Sequence, residues 1–249
     1  MRRTKLLLAM ATGIVCLCFG RSSGAEIIPI PSPGTDGDTW SHVPFSGLTL
    51  TEVPPMRFQQ VYNATAFSAL GEAVGLITGV RFVSDINVGR AWTADLPHVE
   101  ISLSVTPRSA DELSPVFADN LGTSVTVHNG RLLLSSDGRG TFAGIDFQTP
   151  FAYNPDEGNL LLEIKNYEPT RFPGVPQANA GPLDAWNVVG DPVSRVFAIG
   201  NANATVGTAD SLGLTTFFAV TPIPEPSTTV LLALGLCALA WTWAKHRKP

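Results

Sequence analysis

The sequence predicts a mainly β protein: an antiparallel β-sandwich of jelly-roll-like kind, framed by an N-terminal signal peptide and a single C-terminal transmembrane helix. Three observations carry this reading. About ten short β-type runs recur between turn signals across residues 47–220, the spacing of a two-sheet antiparallel domain. Helical periodicity is scarce in the same region. Two uncharged apolar stretches are confined to the chain ends, each flanked by basic residues, as targeting and membrane segments require.

The N-terminus comes first. Arg2, Arg3 and Lys5 precede an apolar run over residues 6–19. Ser23-Gly24-Ala25 then offers small residues at the −3 and −1 positions of a signal-peptidase site, so residues 1–25 read as a signal peptide and Glu26 as the mature N-terminus. Residues 26–46 carry Pro29, Pro31, Pro33 and Gly34 and read as a Pro/Gly-rich linker. Asp36-Gly37-Asp38 superficially matches the start of a calcium loop. The remaining ligand spacing and terminal glutamate are absent, so it reads as a turn.

Strands are predicted at 48–53, 57–62, 79–84, 99–105, 123–127, 131–135, 144–147, 159–165, 193–199 and 215–220. In Val99-Glu-Ile-Ser-Leu-Ser-Val105 every second residue is apolar, which places the apolar set on one sheet face. Residues 123–127 and 131–134 flank Asn129-Gly130, a pairing suited to a type I′ hairpin turn. Asp137-Gly138 and Asp156-Glu157-Gly158 mark two more turns, and only residues 64–75 and 109–120 could hold a helical turn or two. A domain over 47–220 is long enough to bury one core.

Composition excludes several kinds of chemistry. The three cysteines, Cys16, Cys18 and Cys237, lie in the apolar ends, so the exported region has no disulfide, thiol nucleophile or Cys-ligated zinc. Nine bases, eight of them arginines, face twenty acids between Glu26 and Ile223, a net charge of −11. Such a surface is a poor partner for nucleic acid or anionic lipid. No His-x-His pair, Gly-x-Ser-x-Gly elbow or phosphate-binding glycine loop is present, so no catalytic residue and no metal ligand is assigned. Asp146, Glu163 and Glu100 are the carboxylates near strands that a glycosidase would need. Solvent-facing strand positions account for them more simply. Among the exported aromatics, Trp40, Trp92, Trp186, Tyr62, Tyr153 and Tyr167, any exposed ring could stack on sugars, although core positions are the commoner fate. No cofactor is expected beyond a structural calcium ion of the sort sandwich loops hold, with Asp111, Asp119, Asn120 and Asp156 as candidates.

The C-terminal 221–249 is the most specific stretch. Pro222, Pro224 and Pro226 bracket Glu225 in a segment that cannot be helical. Residues 228–244 contain neither charge nor proline and span roughly 25 Å as a helix, at the short end of what crosses a bilayer. Trp241 and Trp243 fall where an interfacial belt lies, and Lys245, Arg247 and Lys248 in the tail 245–249 hold that end in the cytoplasm. Pro224-Glu225-Pro226-Ser227, the apolar helix and the basic end, in that order, resemble the PEP-CTERM sorting signal of bacterial exported proteins. The resemblance implies a partner: an exosortase, an intramembrane cysteine transpeptidase-like enzyme, recognises the tail and cleaves near the motif. Phe58-Gln-Gln-Val-Tyr62, Phe117-Ala-Asp-Asn120, Phe151-Ala-Tyr153-Asn-Pro155 and Asn159-Leu-Leu-Leu162 also look like the ectodomains attached to such tails, which are taken as β-sandwiches without an assigned activity.

The expectation is an exported, non-enzymatic cell-surface or extracellular-matrix protein. It is anchored transiently in the inner membrane before processing and meets exopolysaccharide or other surface proteins. A secreted carbohydrate-binding module or glycan-active enzyme on the same fold is the alternative. An ice-binding role is a third class, against which stands the missing flat Thr-x-Thr ladder.

Overall fold

Among the described residues, thirteen strands follow one another with three short 3₁₀ segments between them. Strands β1 (Glu26–Pro29) and β2 (Asp38–Ser41) precede β3 (Met56–Tyr62), a 3₁₀ stretch at Ala64–Leu70, β4 (Gly75–Val83) and the long β5 (Trp92–Thr106). After a 3₁₀ turn at Phe117–Asn120 come β6 (Ser124–Ser136), β7 (Phe142–Tyr153) and β8 (Asn159–Asn166). The rest are β9 (Leu183–Asn187), β10 (Val193–Ile199), β11 (Thr208–Asp210), β12 (Leu212–Leu214) and β13 (Thr216–Pro222). The computed structural model describes residues 26–30, 37–45, 53–70, 74–172 and 181–223. The fold is mainly β and the pairings between strands are antiparallel.

The strands form three sheets: β1-β13-β4-β7, β11-β10-β3-β8-β5-β6, and β12-β9-β2. Period-two alternation decides which side chains meet. Phe58 and Tyr62 of β3, Leu160, Leu162 and Ile164 of β8, and Val99, Ile101 and Leu103 of β5 share one face of the six-stranded sheet. They join a single apolar cluster with Ile77 and Phe82 of β4, Ile145 and Tyr153 of β7, and Phe218 and Val220 of β13. Tyr62 meets Phe218 edge-on at 5.0 Å, and Phe67 meets Tyr153 at 4.8 Å. This is the favoured geometry for aromatic pairs. A polar seam crosses the same core: Tyr62 Oη donates to Thr216 Oγ1 at 3.0 Å, and Gln60 Oε1 accepts from Leu214 N at 2.8 Å. A buried hydroxyl and amide would be costly without those partners.

The opposite face of the six-stranded sheet is also covered. Val61, Leu161 and Val196 pack under Leu113 and Phe117 in a second, smaller cluster. Its neighbours on that face are charged and matter below.

Two expectations need correction, and a third lies largely outside the described residues. Residues 26–46 are not simply a linker, because β1 pairs along β13 and β2 along β9. Ile28 and Ile30 are buried, while Ile27 and Pro29 between them face outward. β1 is an edge strand, a place in a sheet where a proline without an N–H is tolerated. Asn129-Gly130 is not a hairpin turn either, since β6 runs unbroken through it. Gly130 lies at φ +136°, opposite Val99, where β5 sets two residues, Pro97 and His98, against Arg131 alone. Val127 is a compensating extra residue on β6 between His128 and Thr126. The glycine thus serves a β-bulge that accommodates Pro97, not a chain reversal. Finally, the strand expected at 48–53 falls largely outside the described residues, and Val53 forms only an isolated bridge with Thr170.

Candidate functional site

The C-terminal exit of the domain is built from β13. It is hydrogen-bonded to β1 on one side and β4 on the other, with Pro222 opposite Gly75 as the last pair. The compact unit ends at Pro222, so Ile223 alone separates it from Pro224 of the motif. The expected sorting residues Pro224, Glu225, Pro226 and Ser227, the tail residues Lys245, Arg247 and Lys248, and the cleavage residues Ser23 and Ala25 lie outside the described residues. So does the expected span at 228–244. Among the described residues no helix is long and apolar enough to cross a membrane.

The candidate carboxylates separate into two groups. Asp146 lies on β7 of the four-stranded sheet, exposed and ion-paired with Arg81. Glu163 and Glu100 lie on the outer face of the six-stranded sheet, from β8 and β5. Glu163 Oε1 accepts from Arg57 Nε at 2.9 Å, Arg57 Nη2 at 2.7 Å and Gln59 Nε2 at 2.8 Å. Lys165 Nζ sits 3.1 Å from Glu100 and 3.5 Å from Glu163. Burial works against the Lys165 charge, yet Glu163 and Glu100 outweigh it and hold its pKa above the ordinary lysine value. Asn120, fully buried, donates to Gln59 Oε1 at 3.0 Å. Arg57 also stacks over Phe117 at 4.5 Å. The arrangement is a satisfied ion and amide network, in which each carboxylate is already held by fixed donors.

Four residues expected near calcium do not converge. Asp111 accepts from Gly190 N, Asp119 from Ser114 Oγ, Asn120 is spent on Gln59 and Ser114, and Asp156 lies in the 3₁₀ turn at Pro155–Glu157. A different set does converge. Oxygens of Asp38, Asp85 and Asp184 all lie within 4.8 Å of one another, the one such group among the described residues. Asp38 comes from β2, Asp184 from β9, and Asp85 from the turn after β4. The Asp36-Gly37-Asp38 stretch was the available signal. Its partners lie far away in sequence, so a local motif could not reveal them.

The aromatics are mostly structural. Trp92, Tyr62 and Tyr153 are buried, Tyr167 stacks on His98 at 4.7 Å, and Trp40 is exposed. His42 packs edge-on against Trp40 at 4.9 Å, and its burial depresses its pKa. His128 is buried, and burial lowers its pKa against the opposing pull of the Gly130 backbone.

A β domain whose final sheet strand runs directly into a Pro-Glu-Pro segment, an apolar stretch and a basic end has the layout of exported proteins bearing a C-terminal sorting signal. The match is specific: residues 222–248 fit the family model of the PEP-CTERM protein-sorting motif, beginning at the last residue of β13. No curated protein matches the chain. The motif marks an exported, envelope-associated protein that exosortase sorts.

Proposed function

We propose that the chain is a non-enzymatic cell-surface or extracellular-matrix protein whose β domain contacts exopolysaccharide or other envelope components. The observation that carries this reading is the sorting motif beginning where β13 ends, so that in the sequence Ile223 alone separates the domain's last strand from Pro224. The two larger sheets share one core, which supports reading the domain as a sandwich of jelly-roll kind. The ion network around Glu163 supports a scaffolding role for the carboxylates. A net charge of −11 between Glu26 and Ile223 favours neutral glycans or basic protein surfaces as partners.

The test is Glu225→Ala in the native cell, with intact-mass measurement of both termini. Wild-type protein should begin at Glu26 and lose its tail, whereas the variant should stay at the inner membrane with its C-terminus uncut. Identical processing of both forms would show that the motif is not the recognition element. Hydrolysis of a polysaccharide that disappears in Glu163→Ala would overturn the non-enzymatic reading.

A further inference from the structure

We propose that Asp38, Asp85 and Asp184 form a calcium-binding site that pins the N-terminal strand β2 and strand β9 to the turn following β4. The three carboxylates come from segments about fifty and a hundred residues apart, yet one oxygen of each lies within 4.8 Å of the others. Asp38 is exposed, Asp184 partly buried and Asp85 buried, so the group has a floor and an open side.

Asp85 is the independent observation. Its residue is 1 % exposed, and its Oδ1 accepts the amides of Asn87 and Val88. Its Oδ2 is buried with no hydrogen-bond partner. A buried carboxylate oxygen without a donor is expensive, and here two more carboxylates lie beside the same residue. None of the three aspartates is ion-paired with a lysine or arginine among the described residues; the five bases in such pairs serve Glu163, Asp146, Asp95, Glu100 and Asp210. The donors that reach the other two aspartates are neutral: the Thr215 hydroxyl donates to Asp184 Oδ2 and the Asn87 amide to Asp38 Oδ2 at 3.2 Å. Negative charge is concentrated where no cation among the described residues pairs with it.

The donor set selects the ion. Three carboxylates without histidine or cysteine suit a hard cation. Two donors on one ion are separated by at most twice the metal–oxygen distance, which is roughly 4.6–5.2 Å for Ca²⁺ and roughly 4.2 Å for Mg²⁺. The 4.8 Å bound on the group lies within the calcium span, and three protein carboxylates are more than Mg²⁺ ordinarily takes in place of water, so the set favours calcium, with water completing the shell on the Asp38 side. Affinities of about 10⁻⁴–10⁻³ M are typical of extracellular calcium modules, the compartment that the sorting motif indicates. The site itself does not depend on how the tail is processed.

The experiment uses the full chain in detergent, stripped with EGTA. Thermal unfolding is followed with CaCl₂ or MgCl₂, and Tb³⁺ luminescence is excited through tryptophan, since Trp186 neighbours Asp184. At 5 mM Ca²⁺ the wild type should gain roughly 5 °C in Tm, Mg²⁺ should give much less, and Ca²⁺ should displace Tb³⁺. Asp38→Asn, at the exposed side, should fold normally and abolish both responses, as should Asp184→Asn. The ranking should invert between conditions: without metal the variants are at least as stable as wild type because repulsion is relieved, and with Ca²⁺ they are less stable. No calcium shift in the wild type, an equal shift in Asp38→Asn, or equal responses to Ca²⁺ and Mg²⁺ would each overturn the assignment.

Discussion

Replacing Ile28 and Ile30 together by alanine tests whether the N-terminal segment belongs to the folded unit. Both side chains are buried, at 2 % and 3 % exposure, and both join the main core. Truncating one buried isoleucine costs about 2–5 kcal/mol. The two sit two residues apart on one strand face, so their effects share a cavity and need not add. A combined loss of about 4 kcal/mol is expected, a large part of the roughly 5–15 kcal/mol that holds a domain together. With a urea m-value of about 2–3 kcal/mol/M for a domain of this size, the midpoint should fall by roughly 1.5 M. The assay is urea unfolding of residues 26–222 followed by far-UV circular dichroism, with Ile27→Ala, on the exposed side of β1, as the control. Chains beginning at residue 46 lose more: both isoleucines, the whole of β1 and β2, and the 2.7 Å bond from Arg195 to Ser41. They also leave β13 with an unpaired edge and should fail to give a soluble, cooperatively unfolding domain. An unchanged midpoint in the double variant, together with a stable domain starting at residue 46, would refute the docking of β1.

Two further outcomes follow from the charged groups. Glu163→Ala should destabilise by about 3 kcal/mol, because it strands the nearly buried Arg57 and the amide of Gln59, while Glu163→Gln, which keeps an acceptor, should cost clearly less in the same urea assay. Burial raises the Asp191 pKa to about 6 from 3.8, despite the Val193 amide that it accepts. A native state that binds this proton more tightly gains stability that is complete below about pH 4 and lost as pH rises through about 6. Asp191→Asn should therefore be about 2 kcal/mol more stable than wild type at pH 7.5 and equal to it near pH 4, as read from unfolding midpoints across pH; a gain that is the same at both ends would refute the burial argument.

Several strands were legible from local pattern alone. Residues 193–199 form a strand with the predicted bounds, and 57–62 and 159–165 differ from theirs by one residue, because period-two alternation is a property of neighbouring residues. The tail was legible for the same reason, since Pro224-Glu225-Pro226 and the segments after it are contiguous. Pairing is not a local property. Glu26-Ile-Ile-Pro carries proline and reads as linker until β13 supplies an edge for it. Asn129-Gly130 reads as a turn until β5 brings Pro97 alongside. Asp38, Asp85 and Asp184 are three ordinary loop and strand acids in one dimension, and a common cluster in three. The sequence by itself determined the β class, the disulfide-free domain and the C-terminal address. Only the tertiary structure decided which edge strand completes the sheet and which carboxylates meet, because both depend on long-range strand register, which no short window of residues encodes.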